Sequence, residues 1–501
     1  MRSMSSHGCS RRGSVAVLVL LAAALGLRVA AMTGMPLVPE EAYYWMYAQH
    51  PSLSYFDHPP MVAWVIGLGT GLCGHTEFGV RLGGSLLMLA ASGLMFVFGR
   101  MWFGREAALV AAVLLQALPV YFGAGLIATM DSALVFFWLV AMLGASVALR
   151  QRRAWGWYLA GVGLGGAMLS KYTGVFVGFG ALLAVLAHRP WRRHLRSAHP
   201  YGGALLALVL FAPVVIWNAQ HDWASFRFQF SDRFEGQSLS LMTLTSYVGI
   251  QLLVATPLVL AGAAWLYART FGNRRRLLAP RWLLAVCFSL PLLAVMSYKS
   301  LRCGIRLNWT LPLYLSLLPA VARLGLTQAR LARRRLRGVA WQRAGLATAA
   351  GCLGLDVLGL TYLLALEPQV RRIPAVGPWR ELATVVDKAA DRLEAETGRE
   401  PLVIAEGKYR LASVLAFYRT PLERDVRASD FTTSQWLIGG RGLGYPYWAN
   451  HQLWASRDCI VVDDNDDIGK YAPRFKEFVL ADEVHLGRTT YRIGIGRGRR
   501  N

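Results

Sequence analysis

The chain reads as a polytopic α-helical membrane protein with a small soluble α/β domain at its C-terminus. Three observations predict this. Of its 501 residues 55% are hydrophobic, and mean hydropathy is +0.37. Apolar runs of about 17–25 residues recur, each long enough to cross a bilayer core of roughly 30 Å. The runs stop near Glu367, beyond which strand-like and helix-like segments alternate at soluble composition. Residues 1–366 are therefore read as the membrane domain and 367–501 as the α/β domain.

Eleven crossings are predicted, at about 14–33, 80–99, 106–122, 131–149, 154–170, 172–187, 201–217, 242–267, 282–298, 308–322 and 345–366. The first reads as a retained helix, because Arg28 interrupts its apolar run and further spans follow. With the basic N-terminus inside, each of five inner loops is basic, from Arg100/Arg105 through Arg189–Arg196 to Arg323–Arg343. Short basic loops mark the cytoplasmic face. The C-terminal domain then lies outside, in the periplasm of a bacterial inner membrane. The formal charge of +24 invites a nucleic-acid partner, but residues 367–501 hold 21 Lys/Arg against 19 Asp/Glu. The excess thus sits in the membrane part, where topology explains it, and no nucleic acid is needed. Six cysteines show no paired spacing, so neither a zinc site nor a disulfide framework is expected.

Against that topology the carboxylates sort to one side. Glu40, Glu41, Asp57, Glu77, Asp131, Asp222, Asp232 and Glu235 all fall outside, whereas Glu106 and Asp356 do not. The outer cations are few: Arg81, Lys171, Arg227, Arg233, Lys299, Arg302 and Arg306. They oppose the orientation rule, and binding an anion is the obvious explanation.

The stretch Pro36–Pro60, PLVPEEAYYWMYAQHPSLSYFDHPP, concentrates this chemistry. Pro39 suits the first turn of a helix, where its missing N–H costs nothing. Glu40 and Glu41 follow, favoured there by the helix dipole. They point about 100° apart on a helix, so one faces a cleft and the other holds the loop. A plain interfacial aromatic helix is the competing reading. Tyr44, Tyr55 and Asp57 in this stretch, with Trp309 near the tenth crossing, are candidates for the substrate cleft.

Further along, Met61–Gly74 is apolar but too short to span, and suits a helix in the membrane surface. Asp131 opens the fourth crossing, as a helix-start acid or as a second catalytic candidate. Lys171 sits at the outer turn in LSKYTGV, either snorkelling or contacting phosphate. In the last domain a helix over 378–397, strands at 401–406 and 459–464, a helix at 408–419 and a strand pair near 478–495 are expected. Asp463–Asp467 lacks EF-hand spacing and reads as a strand-end turn.

PEEAYYW…YFDHPPMVAW, the Asp131 helix start, LSKYTGV, PVVIWNAQHDWASFRFQ and NWTLPLYLSLLP occur in that order. Together they resemble the bacterial members of the protein-mannosyltransferase superfamily, the polyprenyl-phosphate-sugar transferases of GT-C fold. Lipid A aminoarabinose transferases and related lipopolysaccharide sugar transferases belong to that group. The resemblance implies inverting transfer from a lipid-phosphate sugar to an envelope acceptor on the periplasmic face. It implies an acidic base in the first loop, where the family's Asp-Glu is here Glu40-Glu41. His58 stands where aminoarabinose transferases carry a phosphate-contacting lysine. Lys171, Arg233 and Arg306 are the further candidates for the donor phosphate. Some members bind a divalent metal outside, and the ligand set is not readable here. Lipid A, another glycan and protein hydroxyls all remain as acceptors. A transporter or flippase for a lipid-linked or anionic substrate is the alternative. Against it stand the absence of an internal repeat and the one-sided charge.

Overall fold

The computed structural model describes residues 6–229, 239–272, 279–333, 338–362, 364, 376–419, 428–448, 450, 454 and 457–500. It comprises two compact units. One holds Met1–Ala30, Gly84–Leu126 and Met130–Leu358, and the other Ala31–Gly83, Ile127–Thr129 and Gly359–Asn501.

The first unit is helical. Four described helices are long and apolar enough to cross a membrane: Glu77–Phe103, Met130–Gln151, His199–Gln220 and Pro280–Ser300. Five bent helix pairs raise the number to nine if each pair is one span. The two further crossings expected from the sequence correspond to Trp155–Ser170, which is only 16 residues long, and to a region whose described apolar helix is Ala350–Thr361. Glycines let backbones meet. A Cβ on Gly161 would lie 2.1 Å from the Gly203 carbonyl oxygen, and one on Gly144 would lie 2.3 Å from the Ala160 nitrogen. Helices Met130–Gln151, Trp155–Ser170 and His199–Gln220 therefore pack backbone to backbone, as small residues allow inside membranes. Buried Met88, Phe98, Trp138 and Phe288 fill the core around them.

In the second unit, the helix Met61–Cys73 leaves Trp64, Leu68 and Leu72 exposed at four-residue steps. That apolar stripe is what a helix lying in a membrane surface presents. A Cβ on Gly69 would meet the Gly79 carbonyl oxygen at 2.2 Å, so this helix lies hard against the start of Glu77–Phe103.

The same unit contains a five-stranded sheet, ordered β2-β1-β3-β5-β4. Its strands are β1 Leu402–Ala405, β2 Thr432–Ser434, β3 Cys459–Asp463, β4 Phe475–Leu486 and β5 Thr489–Arg499. β1 runs parallel to β2 and β3, while β5 is antiparallel to β3 and β4. The wholly buried runs of β1 and β3 are those of central parallel strands. Gly487 at φ 64° turns the tight β4–β5 hairpin. Helices Trp379–Thr397 and Arg410–Tyr418 pack on the sheet.

Candidate active site

In the second unit, Val38 is extended (φ −74°, ψ 152°) and Pro39 starts the helix Pro39–Gln49, placing Glu40 and Glu41 in its first turn. The two glutamates differ completely. Glu41 is 0% exposed. Its Oε2 accepts from the Val38 N–H at 3.0 Å and from Arg81 Nη2 at 2.6 Å. Its Oε1 accepts from Arg81 Nε at 2.8 Å and from the Ala128 N–H at 2.8 Å. Arg81, also 0% exposed, spends its remaining donors on the carbonyls of Met32, Met35 and Pro36. All five N–H groups of a guanidinium are thus engaged. Glu40, one step round the helix, is half-buried and accepts from the Tyr409 hydroxyl at 3.1 Å. Arg81 is one of the outer cations for which the sequence suggested an anion, and its anion is Glu41. The signal that could have found this pair is the cation's wrong-sided position.

The aromatic run after the glutamates closes around Asp57. Its Oδ1 accepts from the Tyr43 hydroxyl at 2.9 Å and from the Tyr47 hydroxyl. Tyr55 stacks on Tyr47 with ring centroids 3.9 Å apart and donates to the Tyr47 carbonyl at 2.7 Å. His58 Nε2 stands 3.9 Å from Asp57 Oδ2, with Tyr44 set edge-on to its ring at 5.8 Å. The structure therefore brings Tyr44, Tyr55, Asp57 and His58 into one cluster. Tyr43 and Tyr47, neither of them among the cleft candidates drawn from the sequence, are its central donors.

A second constellation lies in the first unit. Asp131, in the first turn of Met130–Gln151, is buried. It accepts from Lys171 Nζ at 2.9 Å on Oδ1 and from Asn308 Nδ2 at 2.6 Å on Oδ2. Lys171 is an extended residue between Trp155–Ser170 and the turn Tyr172–Gly174, and it is only 8% exposed. Asn308 comes from the turn Leu307–Thr310, within the NWTLP segment that carried the resemblance. Trp309 beside it is half-buried and Arg306 is exposed. Arg233 lies outside the described residues. Asn308 is the functional candidate that sequence reasoning missed.

Among the described residues, one carboxylate group has ligand atoms close enough for a metal: Glu406, Asp463 and Asp464, within 4.8 Å of one another. Lys470 Nζ sits 2.6 Å from Asp463 Oδ2, so an ammonium already neutralises that oxygen. Tyr471 donates to the same oxygen at 2.7 Å, and the Asn465 N–H to Oδ1 at 2.9 Å. Burial pushes Asp463 up, but these bonds outweigh it and hold its carboxyl below the ordinary range. Burial, then the charges of Asp463 and Asp464, pushes Glu406 up. These bonds are those of a strand-end turn.

Comparison with known proteins follows the same line. Residues 57–217 match the family described as dolichyl-phosphate-mannose-protein mannosyltransferase. The chain is 28% identical over 280 residues to a lipid A galacturonosyltransferase of Rhizobium johnstonii, covering 55% of this chain and 58% of that one. It is 29% identical over 191 residues to an undecaprenyl phosphate-alpha-4-amino-4-deoxy-L-arabinose arabinosyl transferase of Erwinia tasmaniensis, covering 36% and 33%. The chain therefore spans less than two thirds of the length of these relatives. The apo structure of ArnT from Cupriavidus metallidurans superposes with a TM-score of 0.64 at 17% identity, covering 97% of this chain and 98% of that one. The Archaeoglobus fulgidus oligosaccharyltransferase gives 0.53 at 13% identity, covering 89% and 68%.

The chain is an integral membrane protein of the α-helical GT-C fold. Its resemblance to the protein-mannosyltransferase superfamily, drawn from motifs, is borne out by the family match and by these relatives.

Proposed function

We propose that this protein is an inverting glycosyltransferase moving a sugar from a polyprenyl-phosphate donor to an envelope acceptor, with lipid A the favoured one. Relatives named for transfer to lipid A and for an undecaprenyl-phosphate sugar support that reading, as does the likeness to ArnT solved with undecaprenyl phosphate. The observation that carries it is the division of labour between Glu41, fully bonded and buried, and Glu40, half-buried at the same helix start. A base must be reachable. Glu40 is only half-buried and stands in the first turn of its helix, where a carboxylate is favoured.

In the reaction the acceptor hydroxyl oxygen attacks the anomeric carbon, whose bond to the phosphate oxygen breaks. Glu40 takes the hydroxyl proton, and polyprenyl phosphate departs with the bonding electrons. A phosphate is a good leaving group, so cations that stabilise its charge suffice on that side. Arg306, being exposed, is our first candidate, and His58 and Arg233 are the further ones. Lys171 gives one of its three donors to Asp131, so we assign it a shared role, orienting Asp131 and meeting the phosphate. Tyr44, Tyr55, Asp57 and Trp309 are assigned to the cleft wall.

We further read eleven crossings, a membrane domain over 1–366 and an α/β domain over 367–501. The active face and that domain are read as periplasmic in a bacterial inner membrane. The basic inner loops support this orientation.

Membranes containing the protein, given a panel of polyprenyl-phosphate sugars and lipid A, should yield glycosylated lipid A by mass spectrometry. Glu40→Gln should slow transfer about 10²–10⁴-fold, the usual worth of a general base, while donor binding persists. Turnover within about threefold of the parent would remove Glu40 from that role, well short of a base's expected contribution.

A further inference from the structure

A cleft of about 230 Å³ opens in the second unit, and its wall residue Trp448 packs edge-on against Tyr47 of the Asp57 cluster with centroids 5.5 Å apart. Its walls are aromatic: Tyr445, Trp448 and Trp454. Trp448 is fixed by stacking on His50, with centroids 5.3 Å apart and planes 8° from parallel, and by its edge contact with Tyr445. Trp454 is fixed by donating Nε1 to the Asp430 carbonyl at 2.8 Å. Between these rings Ser429, Asp430 and Asn450 line the space. Ser429 is 2% exposed, and its hydroxyl finds no hydrogen-bond partner among the described residues. Buried hydroxyls are ordinarily bonded, so this one marks a place where a ligand group is expected.

The lining selects the ligand class. Among the described residues it holds no lysine or arginine, which argues against a phosphate. Aromatic rings with hydroxyl, amide and carboxylate groups between them match a ring that is apolar on its C–H faces and hydroxylated at its rim. The size limits it to one ring, since a cavity of about 150 Å³ is enough for benzene.

We propose that this cleft is a sugar subsite, taking one neutral or amino-bearing hexopyranose ring, with Ser429 bonding a ring hydroxyl. The proposal deepens the transferase reading and rests on it for the sugar's source, which is either the acceptor glycolipid or the donor. The binding itself is independent of turnover.

The test uses the full chain in detergent, with methyl galactoside and methyl glucosaminide as probes, read by saturation-transfer NMR and tryptophan fluorescence. The parent should bind at least one probe. Ser429→Leu, which fills the cleft, should abolish binding, and Ser429→Ala should weaken it about three- to tenfold, the worth of one hydrogen bond. Asn450→Ala, at an exposed position, should weaken binding even if Ser429→Leu fails to fold. In transfer assays Ser429→Leu should raise KM for the glycolipid at unchanged donor KM if the sugar is the acceptor's, and the reverse if it is the donor's. Probe binding that vanishes in Ser429→Leu while no donor is ever turned over would sink the transferase reading and leave the subsite standing. No binding of either probe by the parent, or binding equal in all variants, overturns the proposal.

Discussion

Glu41 and Arg81 meet with every donor of the guanidinium used and both oxygens of the carboxylate engaged. Both are withdrawn from solvent, so removing one partner strands the other. Breaking a buried pair that way costs about 3–5 kcal/mol. Arg81→Ala and Glu41→Gln should each lower the thermal midpoint in detergent markedly, and Glu41→Gln combined with Arg81→Met should recover part of the loss. An unshifted midpoint in both single variants would show that the pair does not hold the first loop. From the sequence one of the two glutamates holds the loop, and Glu41 is the one bonded to do so. The glutamates themselves were legible, because Pro39, two acids and an aromatic run form a local pattern. The partner of Arg81 was not, because the pairing spans 40 residues and no spacing rule covers it. Asn308 was hidden for the same reason, at 177 residues from Asp131.

Among the elements, those with long apolar periodicity were read closely. The sequence expected a helix over 378–397 and the structure has Trp379–Thr397; strands expected at 401–406 and 459–464 are β1 and β3. β2 went unseen because three residues carry no period, and only its pairing with β1 makes it a strand. The ends of β1 and β3 place Glu406 beside Asp463 and Asp464, with a consequence for pH. Burial and those two charges raise the Glu406 carboxyl above its ordinary 4.5. The unfolded chain therefore loses this proton first, and stability falls as pH rises from about 4.5 toward the raised value. Asp463 works oppositely: held low, it contributes stability above the ordinary carboxylate range that is lost as pH falls through its lowered value. Glu406→Gln should accordingly raise the thermal midpoint at pH 7 and lose that gain at pH 4, below the ordinary 4.5. A gain equal at both pH values would refute the assignment.

At the scale of the whole chain, compactness does not follow sequence order. Residues 31–83 group with residues from 359 onward. Trp379 Nε1 donates to the Leu37 carbonyl at 3.1 Å, and the Leu37 N–H donates to the Tyr418 hydroxyl at 2.8 Å. Such contacts join positions more than 340 residues apart, and no local pattern encodes them. What the sequence does encode globally is orientation. The membrane part carries 32 basic and 10 acidic residues, and its basic clusters fall on five loops after even-numbered crossings. A transmembrane chain keeps such loops in the cytoplasm, and the eleven crossings proposed above would carry its end to the other side. A reporter active only in the periplasm, fused after Arg500, should therefore be active, and a cytoplasmic reporter at the same place silent. The same pair of fusions in the Arg189–Arg196 loop should give the opposite result. A well-expressed fusion after Arg500 that is active only in the cytoplasm would reverse the face proposed for Glu40, and with it the side from which donor and acceptor must come.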